Sequence, residues 1–334
     1  MPGRDSVKRR WRGARTPRPG RAAAVAFTAA AAAIWGACGG GSGGASERGA
    51  EILDAVATTG MVADAVRQIG GERVSVTGLM GPGVDPHLYK ASAGDVRSLA
   101  SADIIFYNGL HLEAAMGEVL EEMSGRSLTV PIADGIAPER RISSEYFVGS
   151  WDPHVWFDVE LWASTTVAVE QALVRLDPDG EAGYRDRAVA YRDTLAKLEG
   201  WIRARVAELP EERRILVTAH DAFGYFGRAY GFEVVGLQGI STVTEAGTSD
   251  VQRIAELVVD RKIPAIFVET SVSQRTIEAV QAAVRDRGEE VRIGGSLFSD
   301  AMGSAGTPEG TYPGMVRHNV NTIVDALLTG VDAE

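Results

Sequence analysis

The sequence predicts an α/β protein of two similar lobes, each a parallel sheet flanked by helices, joined by one long helix. Short apolar stretches alternate with helical stretches over residues 51–179, and the alternation restarts over residues 210–334. This alternation is typical of parallel strands covered by helices. A long amphipathic stretch over residues 180–209 separates the two series and indicates a helix that links the lobes.

The first 37 residues have the pattern of a signal peptide. Residues 1–21 carry eight Lys and Arg side chains and one Asp, and residues 22–37 are small and apolar. This apolar run is too short to span a bilayer comfortably. The pair Arg9-Arg10 is compatible with twin-arginine export as well as with the general secretory route, so both routes stay open.

The single cysteine, Cys38, ends the apolar run and follows Trp35-Gly36-Ala37. Small residues before a lone cysteine are typical of a bacterial lipobox, in which that cysteine carries a lipid. Residues 39–44 are five glycines and one serine, a composition that predicts a flexible tether and not a buried thiol. We therefore expect residues 38–50 to be a lipid-anchored tether.

Removal of the basic leader changes the charge of the protein. The formal net charge falls from −11 to −18 when the eight basic side chains and the single Asp of residues 1–21 are subtracted. A strongly acidic body without basic patches argues against nucleic-acid binding. The same negative charge would favour cations as ligands.

In the N-terminal lobe, apolar runs bounded by turn residues predict strands, and apolar spacings of three and four predict helices. The predicted strands cover residues 52–58, 74–80, 103–107 and 128–130. The predicted helices cover residues 61–69, 95–102 and 112–123. Residues 133–153 are polar and irregular, and we expect no regular element there.

The linking helix is predicted from an apolar repeat that runs from Tyr184 to Val206 and is stopped by Pro210. No other stretch shows a comparable repeat, so one long helix is expected. In the C-terminal lobe, the predicted strands cover residues 215–219, 234–237, 265–268 and 291–293. The predicted helices cover residues 222–230, 251–259 and 276–287.

Four side chains are candidate metal ligands, two from each lobe: His87, His154, His220 and Asp300. His87 and His154 each complete an Asp-Pro-His triplet, whereas His220 and Asp300 follow predicted strands. Ligands of open parallel sheets bind outside the carboxyl ends of the strands, so we expect the four side chains to meet in one cleft.

Three imidazoles and one carboxylate suit a divalent transition metal such as zinc, manganese or iron, whereas calcium and magnesium prefer oxygen ligands. Imidazole must be deprotonated to bind a metal, so affinity should fall as the pH drops through about 6.5. His111 and His318 have no strand-end position and are interpreted as surface or capping residues. Asp300 by itself could be a helix N-cap, and Glu269 could be a cleft acid or a loop residue.

Five motifs, in order, resemble the zinc/manganese solute-binding lipoproteins of bacterial ABC transporters, the TroA-like or cluster A-I metal receptor family. The similarity covers essentially residues 50–330. The motifs are Asp-Pro-His-Leu-Tyr at 85–89, Ala-Asp-Ile-Ile-Phe-Tyr-Asn-Gly-Leu at 102–110, Asp-Pro-His-Val-Trp at 152–156, Val-Thr-Ala-His-Asp-Ala-Phe-Gly-Tyr-Phe at 217–226 and Gly-Ser-Leu-Phe-Ser-Asp at 295–300.

The resemblance implies a monomeric receptor outside the cytoplasm, with two lobes, a rigid linking helix and one transported metal ion, Zn²⁺ or Mn²⁺, between the lobes. It also implies an ABC permease and its ATPase as partners, and His87, His154, His220 and Asp300 as the ligands. Dedicated manganese members often have Glu at the position of His220, so His permits zinc as readily as manganese. Dedicated zinc members often insert a His-rich loop, but residues 112–150 contain no histidine.

Two other functions compete with metal capture. In a metallohydrolase, the catalytic zinc usually keeps an open position for water, whereas four protein ligands would close a tetrahedral shell. A surface adhesin could contain the same metal as a structural element. A receptor differs from both because it must release its metal to a permease.

Overall fold

Parallel strands with helices between them organise the residues described by the structure, a computed structural model that covers residues 52–143 and 150–329. The predicted signal peptide, Cys38 and the tether to residue 50 lie outside the described residues. Within those two ranges, no helix has the length and apolar character needed to cross a membrane.

The N-terminal lobe contains a four-stranded parallel sheet in the order β2-β1-β3-β4. Its strands are β1 (Leu53–Ala57), β2 (Val74–Gly78), β3 (Ile104–Tyr107) and β4 (Leu128–Pro131). The helices between these strands are α1 (Gly60–Gly70), α2 (Ala93–Ser101) and α3 (Gly117–Ser124). The sheet confirms the predicted α/β architecture of this lobe.

The start of α3 differs from the helix predicted over residues 112–123. Leu110 and His111 have φ angles of 53° and 67°, which a right-handed helix does not allow. The chain then makes a 3₁₀ turn at Ala114–Met116 before the α-helix begins at Gly117. The apolar spacing alone did not reveal this left-handed entry.

The linking helix is α5, Glu181–Val206, the longest helix of the described residues at 26 residues. Its buried positions are those of the predicted repeat: Tyr184, Ala188, Tyr191, Leu195, Leu198, Ile202 and Val206. The helix packs on α1 and on α4 (Val159–Leu176), and it also packs on α9 (Tyr312–Leu328) at the end of the chain. It therefore contacts helices of both lobes.

The expectation that no other helix would be comparable was wrong, because α4 has 18 residues and α9 has 17. Two buried positions of α4 are Thr165 and Thr166, which interrupt its apolar pattern. Each hydroxyl donates to the carbonyl three residues back, at 2.8 and 2.7 Å, so the threonines are buried without an unsatisfied polar group. Apolar periodicity misses a helix of this kind.

The C-terminal lobe repeats the alternation, with three helices between its four strands and α9 after the last strand. The strands are β5 (Ile215–His220), β6 (Glu233–Gln238), β7 (Ala265–Glu269) and β8 (Arg292–Leu297). The helices are α6 (Gly224–Tyr230), α7 (Thr248–Asp260) and α8 (Arg275–Arg285). Strand β5 pairs in parallel with β6, β7 pairs in parallel with β8, and β5 lies beside β7.

The carboxyl ends of these strands carry polar side chains that are buried. His220 is the last residue of β5 and Glu269 is the last residue of β7, and both are at most 1 % exposed. Asp300 follows the end of β8 by three residues and is also buried. Buried polar groups need partners, so this edge of the lobe is where a site is expected.

Candidate metal site

The structure brings together the four side chains that the sequence singled out. His87, His154, His220 and Asp300 are all buried, and each offers one ligand atom within 4.8 Å of the ligand atoms of the other three. His87 and His154 come from loops of the N-terminal lobe, and the other two come from strand ends of the C-terminal lobe. The group could hold one metal ion.

The distances between the ligand atoms match a small coordination sphere. Nε2 of His87 lies 3.3 Å from Nε2 of His154, which lies 3.3 Å from Oδ1 of Asp300. Oδ2 of Asp300 lies 3.2 Å from Nε2 of His220. Ligands about 2.0–2.1 Å from a tetrahedral zinc are about 3.3 Å apart, so these edges already have the required length.

Three of these atoms have no hydrogen-bond partner among the residues that the structure describes: Nε2 of His220 and both carboxylate oxygens of Asp300. Leaving a buried polar atom unsatisfied costs about 1–3 kcal/mol, and more when the group is charged. A divalent cation would satisfy all three atoms at once. The chemistry of the donor set therefore fits a metal ion.

The ring of His220 is held by Glu269. Oε1 of Glu269 accepts the backbone N–H of His220 at 2.9 Å, and Oε2 lies 2.5 Å from Nδ1 of the ring. Because an ionised carboxylate can only accept, Nδ1 carries the proton in this contact. Nε2 is thereby turned toward Asp300, as in the carboxylate–histidine pairs that orient metal ligands.

His154 is oriented in the same way by Asp152. Oδ1 of Asp152 accepts the backbone N–H of His154 at 2.9 Å and lies 2.7 Å from its Nδ1. The triplet is fixed from both lobes, because the amide of Asn108 donates to the carbonyl of Pro153 at 3.0 Å and the hydroxyl of Tyr225 donates to the carbonyl of Asp152 at 3.0 Å.

The loop that carries Asp300 is held by hydrogen bonds from two other segments, α9 and the loop of His154. The amide side chain of Asn319 in α9 accepts from the N–H of Phe298 at 2.9 Å and donates to its carbonyl at 2.7 Å. The indole N–H of Trp156 donates to the carbonyl of Ser299 at 3.0 Å. These bonds fix the backbone immediately before Asp300, and Trp156 links it to the loop of His154.

The electrostatics of the surrounding protein groups favour protonated imidazoles at two positions of the site. Burial disfavours the charged ring of His154, but the carboxylates of Asp152 and Asp300 outweigh it and raise its pKa to about 9. Burial opposes the charge on His220 too, yet Glu269 and Asp300 raise its pKa well above the ordinary value. A metal that binds these rings must displace their protons.

The pKa values of the other two groups, His87 and Asp300, are lowered. Burial lowers the pKa of His87 to about 3, so this ring is neutral at physiological pH. Burial alone would raise the pKa of Asp300, but the charges of His220 and His154 dominate and hold that pKa well below its ordinary value. The carboxylate is therefore ionised and one imidazole is ready to coordinate.

The remaining histidines lie elsewhere. His111 is exposed in the left-handed turn before α3. Nε2 of His318 lies 3.0 Å from the carbonyl of Ser296, and the ring packs edge-on against Phe298. Asp300 is followed by no helix until a 3₁₀ turn at Pro308–Gly310, so it caps no helix.

Sequence reasoning left the role of Glu269 open, and it assigned none to Asn319. A signal for Glu269 was present, since it ends a fully buried strand. Asn319 carries no local signal, because its partner Phe298 lies on another segment. Trp156 belonged to one of the five motifs, but nothing in the motif indicated its contact with Ser299.

The profile of one protein family, described as ZnuA, zinc-uptake complex component A periplasmic, matches residues 55–326. The chain belongs to this family. The match spans strands of both lobes, α5 and all four side chains of the candidate site.

The relatives of this chain include proteins named for zinc binding and proteins named for manganese binding. The zinc-binding protein TroA of Treponema pallidum (strain Nichols) is 54 % identical over 272 residues, which are 81 % of this chain and 88 % of TroA. The manganese-binding lipoprotein MntA of Bacillus subtilis (strain 168) is 46 % identical over 310 residues, 93 % of this chain and 99 % of MntA.

The fold is also similar to solved structures of the family. The periplasmic zinc-binding protein TroA of Treponema pallidum superposes with a TM-score of 0.81 at 53 % identity, covering 83 % of this chain and 99 % of that one. Such neighbours have two lobes and a connecting helix, in agreement with the two-lobed architecture predicted from the sequence.

Proposed function

We propose that this protein is the extracytoplasmic solute-binding component of an ABC importer. It captures one divalent transition metal ion, zinc and/or manganese, between its lobes and delivers it to a membrane permease. The observation that carries the proposal is the buried group of three imidazoles and one carboxylate, in which three atoms lack a hydrogen-bond partner among the described residues. The ligands of the proposal are His87, His154, His220 and Asp300.

The donor set favours capture over hydrolysis. Four protein ligands complete a tetrahedral shell, whereas a catalytic zinc keeps a position for the water that it activates. Glu269 and Asp152 cannot be cast as free general bases either, since each carboxylate is committed to the ring and backbone of a histidine. The family, a component of zinc uptake, points the same way.

The proposal includes both zinc and manganese for a chemical reason. Zinc is satisfied by four ligands, and the intrinsic affinity of such N/O sites is higher for zinc than for manganese. Both oxygens of Asp300 face the imidazoles, at 3.3 Å from His154 and 3.2 Å from His220, so the carboxylate is placed to supply one or two donors. A second oxygen would suit a metal that takes more than four ligands.

The lobe boundaries belong to the proposal as well. We assign residues 51–179 and 210–334 to the two metal-binding lobes and residues 180–209 to the linking helix. The position of α5 and its packing on helices of both lobes support this division. The boundary between the linking helix and the C-terminal lobe is placed after residue 209, shortly beyond Val206, the last buried residue of α5.

We further propose that a lipid on Cys38 anchors a monomer to the outer face of the membrane, where it meets the permease and its ATPase. Relatives named as lipoproteins support the anchor. The Cys38→Ser variant should appear in the soluble fraction of fractionated cells, whereas the wild type should stay with the membranes. If mass spectrometry of the wild-type protein detected no lipid on Cys38, the proposed anchor would be contradicted.

Metal titration tests the proposed function. The protein is stripped with a chelator and titrated calorimetrically with zinc and, separately, with manganese. We expect one ion per chain for each metal, with tighter binding of zinc. Failure to bind either ion would overturn the proposal. Metal analysis of protein purified from its native host would then identify the ion that it carries in the cell.

A further inference from the structure

The two Asp-Pro-His triplets have the same sequence but different contacts. In both, Oδ1 of the aspartate accepts the backbone N–H of the histidine two residues later, at 2.8 Å for His87 and 2.9 Å for His154. In the second triplet this oxygen also lies against the imidazole. In the first triplet, Oδ2 of Asp85 instead accepts the hydroxyl of Thr242 at 2.6 Å.

This hydrogen bond joins the two lobes. Asp85 lies in the loop between β2 and α2, which carries His87. Thr242 lies in the segment between β6 and α7, just beyond Gln238, the residue that pairs with His220. The bond therefore connects a segment next to one proposed ligand with a segment next to another, across the cleft between the lobes.

The bond lies at the solvent edge of the cleft. Thr242 is only 7 % exposed, but its neighbour Val243 is 67 % exposed and Leu88, on the opposite side, is 51 % exposed. A cavity of about 760 Å³ opens beside the bond and is lined by His87, Ser241 and Val243, among others. The lobes cannot separate at this edge without breaking the bond between Asp85 and Thr242.

The two lobes also approach each other closely at Gly83, in the same loop as Asp85. Gly83, with φ of 71°, lies so near the C-terminal lobe that a Cβ there would be 3.2 Å from the carbonyl oxygen of Thr270. The deep side of the cleft differs, because there Tyr312, which is fully buried, donates to the carbonyl of Trp156 at 2.7 Å. The His87 loop is thus one part of the N-terminal lobe that contacts the other lobe near solvent.

We propose that Asp85 is a positioning residue that latches the His87 loop to Thr242 across the cleft and thereby slows release of the bound metal. This inference rests on the proposed function, because it concerns the same metal site. While the latch is closed, His87 stays in place and the other ligands stay covered. Opening it breaks the 2.6 Å hydrogen bond between Thr242 and the Asp85 carboxyl group, and losing one such bond is enough to change a rate by about tenfold.

Thr242→Val is the decisive variant, since valine keeps the shape of threonine and removes only the hydroxyl. Zinc-loaded protein is mixed with excess chelator in a stopped-flow instrument, and the release rate is recorded. We expect release roughly tenfold faster than in the wild type, with the association rate little changed. Thr242→Ser keeps the hydroxyl and should restore the wild-type rate.

A matched control separates the latch from a general loss of a threonine hydroxyl. Thr129 in β4 donates to the neighbouring Ser127 carbonyl at 3.2 Å, within one lobe, so Thr129→Val should release zinc at the wild-type rate. A double-variant cycle adds specificity. In an Asp85→Ala background, Thr242→Val should accelerate release no further, because the acceptor is already gone.

The outcomes distinguish the two proposals. If the wild type binds neither zinc nor manganese, the proposed function fails and the latch fails with it. If the wild type binds metal and Thr242→Val releases it at the wild-type rate, only the latch is overturned. A lower unfolding temperature of Thr242→Val with unchanged release would likewise show a purely structural bond and overturn the latch.

Discussion

Glu269 holds His220 through both of its carboxylate oxygens, one on the backbone N–H at 2.9 Å and one on ring atom Nδ1 at 2.5 Å. The two residues end the adjacent strands β5 and β7. The two neighbouring strands therefore set the position of the imidazole, and the carboxylate sets its tautomer and rotation. A ligand fixed in this way loses little freedom when a metal binds.

Glu269→Gln should weaken zinc binding by about 10–100-fold, the usual cost of losing a partner that orients a metal ligand. Glutamine replaces one of the two carboxylate oxygens by an NH₂ donor, so the backbone N–H and the ring N–H can no longer each have an acceptor oxygen of their own. Competition against a chelator of known affinity measures the loss. The control is Glu199→Gln, which alters a carboxylate on α5 that accepts a hydrogen bond from Tyr230 of α6, and this variant should bind zinc as the wild type does.

His220→Ala should abolish most metal binding, with a loss of more than about 100-fold, because it removes a proposed ligand and not merely its support. His318→Ala is the matched control, since this half-buried ring contacts the Ser296 carbonyl and no member of the site. Calorimetric titration of both variants with zinc compares them directly. Equal losses would show that the four-residue site is misassigned.

Metal affinity should rise with pH up to about 9. The raised pKa values of His154, about 9, and of His220 mean that both rings hold protons in the metal-free protein at neutral pH. Zinc must displace these protons, so each one contributes about tenfold in affinity per pH unit below its pKa. The sequence alone predicted that affinity falls only below about pH 6.5, whereas the raised pKa values move the start of this fall to about pH 9.

Calorimetry in two buffers with different protonation enthalpies counts the protons. We expect proton release on zinc binding at about pH 7.5, and less release above about pH 9, where His154 is already neutral. Affinity that does not change between about pH 6 and about pH 8 would contradict the three-histidine site.

The metal-free fold should lose stability as the pH rises from about 6.5 to about 9. A group whose pKa is raised by folding stabilises the fold below its ordinary pKa, and this contribution disappears as the pH passes the raised value, about 9 for His154. Zinc-loaded protein should not show this decline, because the metal takes the place of the proton. Thermal unfolding of both forms across this range measures the difference.

Much of the architecture could be predicted because it depends on local pattern. The seven buried positions of α5 are those of its apolar repeat, since one face of a regular helix must meet the core. The positions of His220 and Asp300 followed from strand order, because parallel strands bring their carboxyl ends to one edge. The structure places both side chains there, together with His87 and His154.

What could not be predicted depends on distant contacts. The bond between Asp85 and Thr242 joins segments far apart in the sequence, and nothing in either segment announces the other. The two Asp-Pro-His triplets have the same sequence, so the sequence could not reveal that Asp152 contacts the ring of its histidine, His154, whereas Asp85 contacts Thr242. The helix α4 was missed for the reverse reason, because Thr165 satisfies its hydroxyl locally and is buried like an apolar residue.

The placement of the four proposed ligands along the chain has a consequence for biogenesis. His87 lies early in the chain, whereas Asp300 lies near its end and touches both His154 and His220. A chain interrupted before residue 300 keeps three imidazoles and lacks the only acidic donor. The complete coordination sphere therefore requires segments from residue 87 to residue 300 to be in place at the same time, and a bound ion would report that both lobes have folded and met.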